Sequence, residues 1–187
     1  MNIPVILGSV RNHRKSIFPA QYINQKLKDA GYESVLVDFK EMPLPFVYSD
    51  PPPASLNKKY PDANVQKWSA IANAADAFII VTPEYNHGYP GMLKNALDWL
   101  YAEFDHKPVA LVGVSSGITG GARAIEQLRP VVEAFSMFAI RETVLFGSVD
   151  ETFNNEGQLI DRSYDKKIDG LIKSLVFSAD AMRAVKT

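Results

Sequence analysis

The sequence predicts an α/β fold in which about five parallel strands form a doubly wound sheet with helices on both faces. Five short runs are rich in Val, Ile, Leu and Phe and poor in charge, a pattern typical of strands that are buried on both sides. The longer stretches between them carry apolar residues at helical spacing. Because this alternation continues along all 187 residues, we expect residues 1–187 to form one domain.

The predicted strands follow the five apolar runs in chain order. They cover residues 3–7, 34–39, 77–81, 109–114 and 138–146. Their lengths are those of ordinary strands in globular proteins. The last one is the longest, and the charged pair Arg141-Glu142 within it predicts an interruption of the strand.

The predicted helices fill the stretches between the strands and the end of the chain. Four of them show apolar residues three or four apart, as in Ala20-Ile23-Leu27, Val65-Trp68-Ala72, Ile125-Leu128-Val132 and Ile168-Leu171-Leu175. The third helix of the chain is expected from Pro90 to Phe104. Pro130 falls inside the fourth helix and should kink or shorten it, since proline lacks the N–H that a helix interior needs.

One segment, residues 40–62, does not follow this alternation. It holds six of the 12 prolines and has little periodicity, so the sequence predicts a long loop. Long loops in compact domains are often lids or binding loops. A stiff surface connection is an equally good interpretation.

Composition and charge restrict the possible partners. With a formal net charge of −1, the chain offers no basic stripe for a nucleic acid or an anionic membrane, and we expect neither as a partner. No apolar run approaches the roughly 18 residues of a membrane span, and no signal peptide pattern is seen. The absence of cysteine excludes thiolate chemistry and disulfides and agrees with a reducing compartment. We therefore expect a cytoplasmic protein, with no metal site, because the three histidines are far apart.

The loop after the first strand has the features of a phosphate site. Ligands of open parallel sheets bind beyond the carboxyl ends of the strands, where the strand order reverses. Residues 8–16 gather Arg11, Arg14 and Lys15 there, and Ser16 is expected to cap the following helix. Hydroxyls, guanidinium groups and a helix N-terminus together suit a phosphate dianion. A solvated basic loop is the alternative, but the position after strand one favours phosphate.

The loops after strands three and four, residues 82–91 and 115–121, are polar and contain glycine. Neither offers a catalytic dyad, because no acid is spaced to orient His87 and Glu84 is equally well a structural acceptor. The sequence also lacks the nucleophile elbow, the P-loop and the first-turn Gly-x-Gly-x-x-Gly, which excludes the usual hydrolase, P-loop and Rossmann dinucleotide sites. A phosphate anchor beside two polar loops predicts a mononucleotide site in a fold of the flavodoxin kind.

Three motifs in these loops resemble the NADPH-dependent FMN reductase family, which includes azo, quinone and chromate reductases. They are Gly8-Ser9-Val10-Arg11 with Arg14 and Ser16, the block from Pro83-Glu84-Tyr85-Asn86 to Leu100, and residues 117–123. The match covers about residues 3–145, and the Pro-Glu-Tyr-Asn block with its Leu-Lys-Asn-Ala helix is the most specific part. The resemblance implies a flavodoxin-like sheet of order 2-1-3-4-5, FMN as cofactor, and NADPH or NADH as hydride donor.

The resemblance also implies the residues of the site. Two groups of residues would hold FMN. The group at the phosphate is Ser9, Arg11, Ser16 and Ile17. The group around the isoalloxazine ring is Pro83, Glu84, Tyr85, Asn86, Ser115, Ser116 and Gly117. No catalytic side chain is implied, because the flavin carries the chemistry. The chain departs from the family at Ser115-Ser116, where Tyr-Gly or Gly-Gly is more usual, and at Ile17-Phe18-Pro19, where smaller residues often follow the phosphate turn.

The main hypothesis from the sequence is an FMN-dependent oxidoreductase that passes electrons from NAD(P)H to a quinone, an azo compound, a flavin or a similar small acceptor. A flavodoxin-like one-electron carrier and a regulatory or interaction protein with the same fold are the alternatives. The predicted third helix carries an apolar arc of roughly 200°, wider than the ~100° that a sheet covers. The rest of this apolar arc must be covered by another helix, by residues 40–62 or by a second subunit. The resemblance favours a subunit, since proteins of this family pair through this helix, and so a homodimer or homotetramer.

Overall fold

A five-stranded parallel sheet forms the centre of the computed structural model, which describes the backbone of residues 1–186 and the side chains of residues 1–184. Its strands are β1 (Val5–Leu7), β2 (Leu36–Asp38), β3 (Phe78–Pro83), β4 (Pro108–Val114) and β5 (Phe138–Phe146). The spatial order is β2-β1-β3-β4-β5, and every neighbouring pair is parallel. The flavodoxin-like order is therefore confirmed, with its switch point between β1 and β3.

The helices cover both faces of the sheet. One face packs against α1 (Ile17–Asp29) and α6 (Ser163–Lys186), and the other against α2 (Ala63–Ala74), α3 (Gly91–Asp98) and α4 (Ala122–Ala134). Successive side chains of a strand point to opposite faces, so Ile79 joins the first core and Ile80 the second. A short α5 (Val149–Thr152) follows β5. None of the helices between residues 1 and 186 is long and apolar enough to cross a membrane.

The element boundaries differ from the sequence prediction at several proline and turn positions. β1 begins at Val5 rather than at residue 3, because Pro4 has no N–H for the ladder. α3 ends at Asp98, well before Phe104, and the chain continues in tight turns. α4 is not shortened but runs through Pro130 to Ala134. The interruption predicted in β5 is present as a bulge, since its pairing with β4 shifts between residues 139 and 143.

The proline-rich segment, residues 40–62, is fastened to α3 and to the turns after it. The side chains of Asn95 and Trp99 both donate to the carbonyl oxygen of Pro45, over 2.8 and 2.7 Å. The Asn95 amide oxygen in turn accepts from the N–H of Val47 at 3.0 Å. This segment therefore covers part of the wide apolar arc that the sequence predicted for the third helix. The structure favours a surface connection here over a lid.

A buried carboxylate makes a second attachment for the same segment. Glu103 is 1% exposed and accepts hydrogen bonds from the hydroxyls of Tyr60, at 2.9 Å, and Ser69, at 2.6 Å. Burial together with this carboxylate raises the pKa of Tyr60 well above its usual value. Tyr60 belongs to the proline-rich segment and Ser69 to α2, so Glu103 joins three parts of the chain.

Candidate functional site

The loops that follow β1, β3 and β4 meet at the carboxyl edge of the sheet around one cavity of about 270 Å³. The cavity lies at the switch point, where open α/β sheets bind their ligands. Its wall contains basic, hydroxyl and apolar groups together: Arg11, His13, Arg14, Lys15, Ser16, Pro83, Glu84, Tyr85, Val114, Ser115, Ser116 and Val149. We call it the switch-point cavity.

The basic end of the switch-point cavity contains two buried polar groups that have no partner. Ser16 is 3% exposed and its hydroxyl makes no hydrogen bond; the Nε atom of Arg14 is buried and equally unpaired. The predicted cap by Ser16 is wrong: its backbone is helical, at φ −64°, and its side chain does not reach an N–H of α1. Buried polar groups normally have partners. These two atoms and the N-terminus of α1 fit a bound phosphate.

A hydrogen bond behind the cavity wall joins the first loop to the second. The hydroxyls of Ser9 and Tyr85 lie 2.6 Å apart, and Ser9 is fully buried. The guanidinium carbon of Arg11 lies 5.5 Å from the centre of the Tyr85 ring, a cation–π arrangement. Contacts within the protein thus hold the Tyr85 ring against the basic loop.

The second loop contains a two-residue turn whose central residues are in the left-handed region. Tyr85 and Gly88 exchange backbone hydrogen bonds of 2.7 and 3.0 Å, while Asn86 and His87 have φ values of 49° and 68°. This region costs a non-glycine residue about 1–3 kcal/mol, and such strain is concentrated at functional sites. The turn leaves Asn86 and His87 exposed at the edge of the site.

The third loop is folded tightly by its own polar groups. The hydroxyl of Ser115 donates to the carbonyl oxygen of Gly117 at 2.7 Å, and its N–H donates to Phe146 at 3.0 Å. The Ser115 carbonyl oxygen accepts from the N–H of Val149 at 3.2 Å. Ser115 is therefore bonded to the end of β5 and the start of α5 as well as to its own loop.

The structure brings most of the predicted site residues together. Seven of them lie in the cavity wall: Arg11, Ser16, Pro83, Glu84, Tyr85, Ser115 and Ser116. Ser9 lies behind Tyr85, and Ile17 faces a neighbouring cavity. Asn86 and Gly117 are exposed positions of their loops and are outside the wall.

Five wall residues were not among those predicted for the site: His13, Arg14, Lys15, Val114 and Val149. Two of them, Arg14 and Lys15, were noted as basic, and Val114 is the last residue of β4. His13 is in the same loop, with a φ of 53° that the sequence does not reveal. Val149 is the first residue of α5, a helix that the sequence analysis did not consider. A buried valine has no chemical signature, so its part in the wall follows only from the packing.

The contacts of Glu84 with α4 favour the ionised form of its carboxyl group. It accepts from the Nη1 atom of Arg123 at 2.9 Å and from the Arg123 backbone N–H at 3.2 Å. Burial alone raises the pKa of Glu84, but the hydrogen bonds and the charge of Arg123 outweigh it and hold the pKa below the usual 4.5. The carboxylate thus ties the second loop to the start of α4.

We expect Glu84→Gln to flatten the acid limb of the stability curve. A carboxyl whose pKa is lowered by folding stabilises the native state above its unfolded pKa, and this contribution is lost as the pH falls through the folded pKa. Urea denaturation in steps from about pH 6 to about pH 3 should show a shallower fall for the variant than for the unmodified protein. Parallel curves would mean that the pair with Arg123 does not affect acid stability.

Comparison with known proteins places these loops in one family. The profile of the NADPH-dependent FMN reductase family matches residues 1–151. The NAD(P)H-dependent FMN reductase of Saccharomyces cerevisiae is 38% identical over 150 residues, 75% of this chain and 78% of that protein. An NADPH azoreductase of a Bacillus species is 32% identical over 146 residues, 78% and 76% of the two chains.

A solved structure agrees with this assignment over nearly the whole chain. FerB, a flavoenzyme NAD(P)H:(acceptor) oxidoreductase from Paracoccus denitrificans, has a TM-score of 0.80 at 26% identity and covers 97% of this chain and 98% of its own. The family match includes all three loops of the switch-point cavity. The chain belongs to the NADPH-dependent FMN reductase family and is an oxidoreductase with FMN as cofactor and NAD(P)H as hydride donor.

Proposed function

We propose that the protein takes hydride from NAD(P)H and reduces a small acceptor such as a quinone or an azo compound, through FMN held in the switch-point cavity. The observation that carries the proposal is the pair of unpartnered buried groups, Ser16 Oγ and Arg14 Nε, at the basic end of that cavity. FMN, when bound, supplies the redox chemistry. The protein supplies binding, orientation and charge.

The basic end would hold the phosphate of FMN. We assign this contact to Ser9, Arg11, Ser16 and Ile17, in agreement with the N-terminus of α1 and the charges of the loop. The unpartnered Nε atom of Arg14 would add a hydrogen bond to the phosphate, but Arg11 carries most of the charge attraction, since the charge of Arg14 is already paired with Asp38 through its Nη2 atom.

The other two loops would enclose the isoalloxazine ring. We assign this contact to Pro83, Glu84, Tyr85 and Asn86 on one side and to residues 115–117 on the other. The fixed turn at Asn86 and the bonded Ser115 support the assignment, because both present polar groups that are held in place by their own loops. Orientation by rigid loops is the contribution that flavin chemistry requires of a protein.

Hydride transfer to a flavin needs no side-chain base, which agrees with the composition of the cavity wall. His13 is the one histidine among its residues, and Glu84 is engaged by Arg123. His87 is exposed at the second loop and lies outside the wall. The side chains would therefore act on binding and orientation rather than on a proton at the reacting atoms.

We expect steady-state kinetics with NAD(P)H and a soluble quinone to give parallel double-reciprocal lines. The shared flavin face admits donor and acceptor only in turn, so the donor must leave before the acceptor binds. Initial rates over a grid of both concentrations test this. Intersecting lines, with a ternary complex shown by equilibrium binding, would contradict a shared face.

We also expect the protein to be a cytoplasmic homodimer or homotetramer that acts as one FMN-binding domain per chain. Phe46, Tyr48 and Tyr101 remain 79%, 64% and 49% exposed beside α3 and the turns after it. Aromatic side chains exposed in a group mark interaction surfaces. Light scattering at micromolar concentration should give two or four times the monomer mass of 20.7 kDa. A monomer mass with full reductase activity would contradict the expectation.

A further inference from the structure

A second cavity, of about 380 Å³, adjoins the basic end of the switch-point cavity. Its wall consists of Arg11, His13, Arg14, Lys15, Ile17, Phe18, Lys40 and Asn155. The first four of these residues also line the switch-point cavity. The two cavities are therefore neighbours that share the loop after β1. Its volume falls in the range of roughly 300–1,000 Å³ that small-molecule sites occupy.

The charge of the second cavity suits an anion next to the flavin phosphate. Arg11, Arg14, Lys15 and Lys40 line it. Arg14 is paired with Asp38 and Lys15 with Asp150, so among the described side chains Arg11 and Lys40 supply the charge that is available to an anion. The side chain of Arg14 is 9% exposed, and its buried Nε atom has no partner. Because Arg11 and Arg14 line both cavities, a phosphate in each would share the same two guanidinium groups. Such an arrangement suits a pyrophosphate, because guanidinium groups bind phosphate oxygens through charge-assisted and often bidentate hydrogen bonds.

The remaining wall of the second cavity combines the apolar side chains of Ile17 and Phe18 with His13 and Asn155. A Cβ atom on Gly157 would lie 2.7 Å from Cδ1 of Phe18, and the ring of Phe153 lies 6.3 Å from that of Phe18. The Phe18 ring is thus packed against Gly157 and Phe153, and the Lys15 Nζ atom lies 5.7 Å from its centre. Asn155 adds an amide, and Lys15 Nζ approaches its amide oxygen at 3.4 Å. An aromatic ring beside an amide is suited to a nucleobase, which combines a flat π-face with hydrogen-bonding edges.

We propose that the second cavity binds the adenosine monophosphate half of FAD, so that the protein accepts FAD as well as FMN. The inference rests on the proposed position of the flavin phosphate, from which the second phosphate of FAD continues covalently. The adenylate half of NAD(P)H has the same adenine, ribose and phosphate groups and is the alternative ligand for this cavity. The cavity contains no residue of the loops after β3 and β4, which would enclose the flavin ring, so an adenylate joined to the flavin phosphate fits its position better.

Titration of the flavin-free protein with FMN and with FAD tests the proposal. Binding is measured by flavin fluorescence and by calorimetry. We expect both flavins to bind, with the Kd for FAD within about tenfold of that for FMN. Lys40→Glu should raise the ratio of the FAD Kd to the FMN Kd about five- to tenfold, through loss of one charge contact and repulsion. Phe18→Leu, which keeps the apolar volume but removes the ring, should raise the ratio in the same direction.

Lys28→Glu is the matched control, because Lys28 is an exposed lysine in the last turn of α1, far along the helix from Phe18, and it should leave the ratio unchanged. FAD binding that is a thousandfold weaker than FMN binding overturns the inference. An unchanged ratio in Lys40→Glu, with a raised KM for NADPH, also overturns it and assigns the cavity to the donor. Failure of the protein to bind FMN refutes the proposed function, and this inference falls with it.

Discussion

Replacing Gly113 with alanine is expected to lower the free energy of unfolding by about 3 kcal/mol, near the upper end of overpacking effects. A Cβ atom at this position would lie 2.4 Å from the carbonyl oxygen of Gly120 and 2.9 Å from Cδ2 of Leu145. Gly113 is in β4, which pairs with β3 on one side and β5 on the other, so its backbone has no direction in which to move. The third loop must shift instead, and FMN binding should weaken with it.

Urea denaturation of the flavin-free protein measures this effect, and Gly170→Ala provides the matched control. Gly170 is exposed in α6, and a Cβ atom there would meet nothing within 4 Å. Alanine at a free helical position stabilises by about 0.5–1 kcal/mol. The two substitutions should therefore have effects of opposite sign. Equal stability of the two variants would contradict the close approach of Gly113 and Gly120.

Replacing Arg11 with alanine is expected to raise the Kd for FMN tenfold to a hundredfold. Loss of a charge-assisted hydrogen bond costs about 1.5–3 kcal/mol. Within the described side chains Arg11 makes no ion pair and packs over the Tyr85 ring, whereas Lys15 pairs with Asp150 at 3.2 Å. Its guanidinium group is thus the charge in the loop that is available for the phosphate.

Fluorescence titration of the flavin-free variants with FMN checks this prediction. Lys15→Ala is the control, since it removes one positive charge from the same loop but one that Asp150 already neutralises. Its effect should be smaller than that of Arg11→Ala, and the effect of Arg14→Ala should be smaller as well. If Arg11→Ala binds FMN as tightly as the unmodified protein does, the phosphate lies elsewhere.

The sheet was predictable from the sequence because its strands are buried on both faces. An apolar run such as Phe78–Val81 between two helical stretches leaves few alternatives to a parallel strand. Helix ends were less predictable, as α3 illustrates. Leu100 and Phe104 continue the apolar pattern of the helix and are buried, but they lie in turns beyond Asp98. Periodicity reports burial, and burial does not require a helix.

The candidate site was predictable as loops but not as individual contacts. The position of Arg11 and Ser16 after the first strand was enough to indicate an anion, because strand ends are where ligands bind. The role of Ser16 was misjudged, since a serine before a helix caps it only if its backbone is extended. The second cavity depends on Lys40 and Asn155, which are 115 residues apart in sequence, and no local pattern connects them.

The attachment of the proline-rich segment to α3 has a consequence for how the protein can evolve. Asn95 and Trp99 hold the segment through the main-chain groups of Pro45 and Val47, not through side chains of the segment. The path of the backbone is therefore insensitive to the identity of residue 46, whose side chain is 79% exposed. Mutations can accumulate at this position without cost to folding, so an exposed side chain next to α3 can be exchanged by single substitutions while the scaffold below it stays the same.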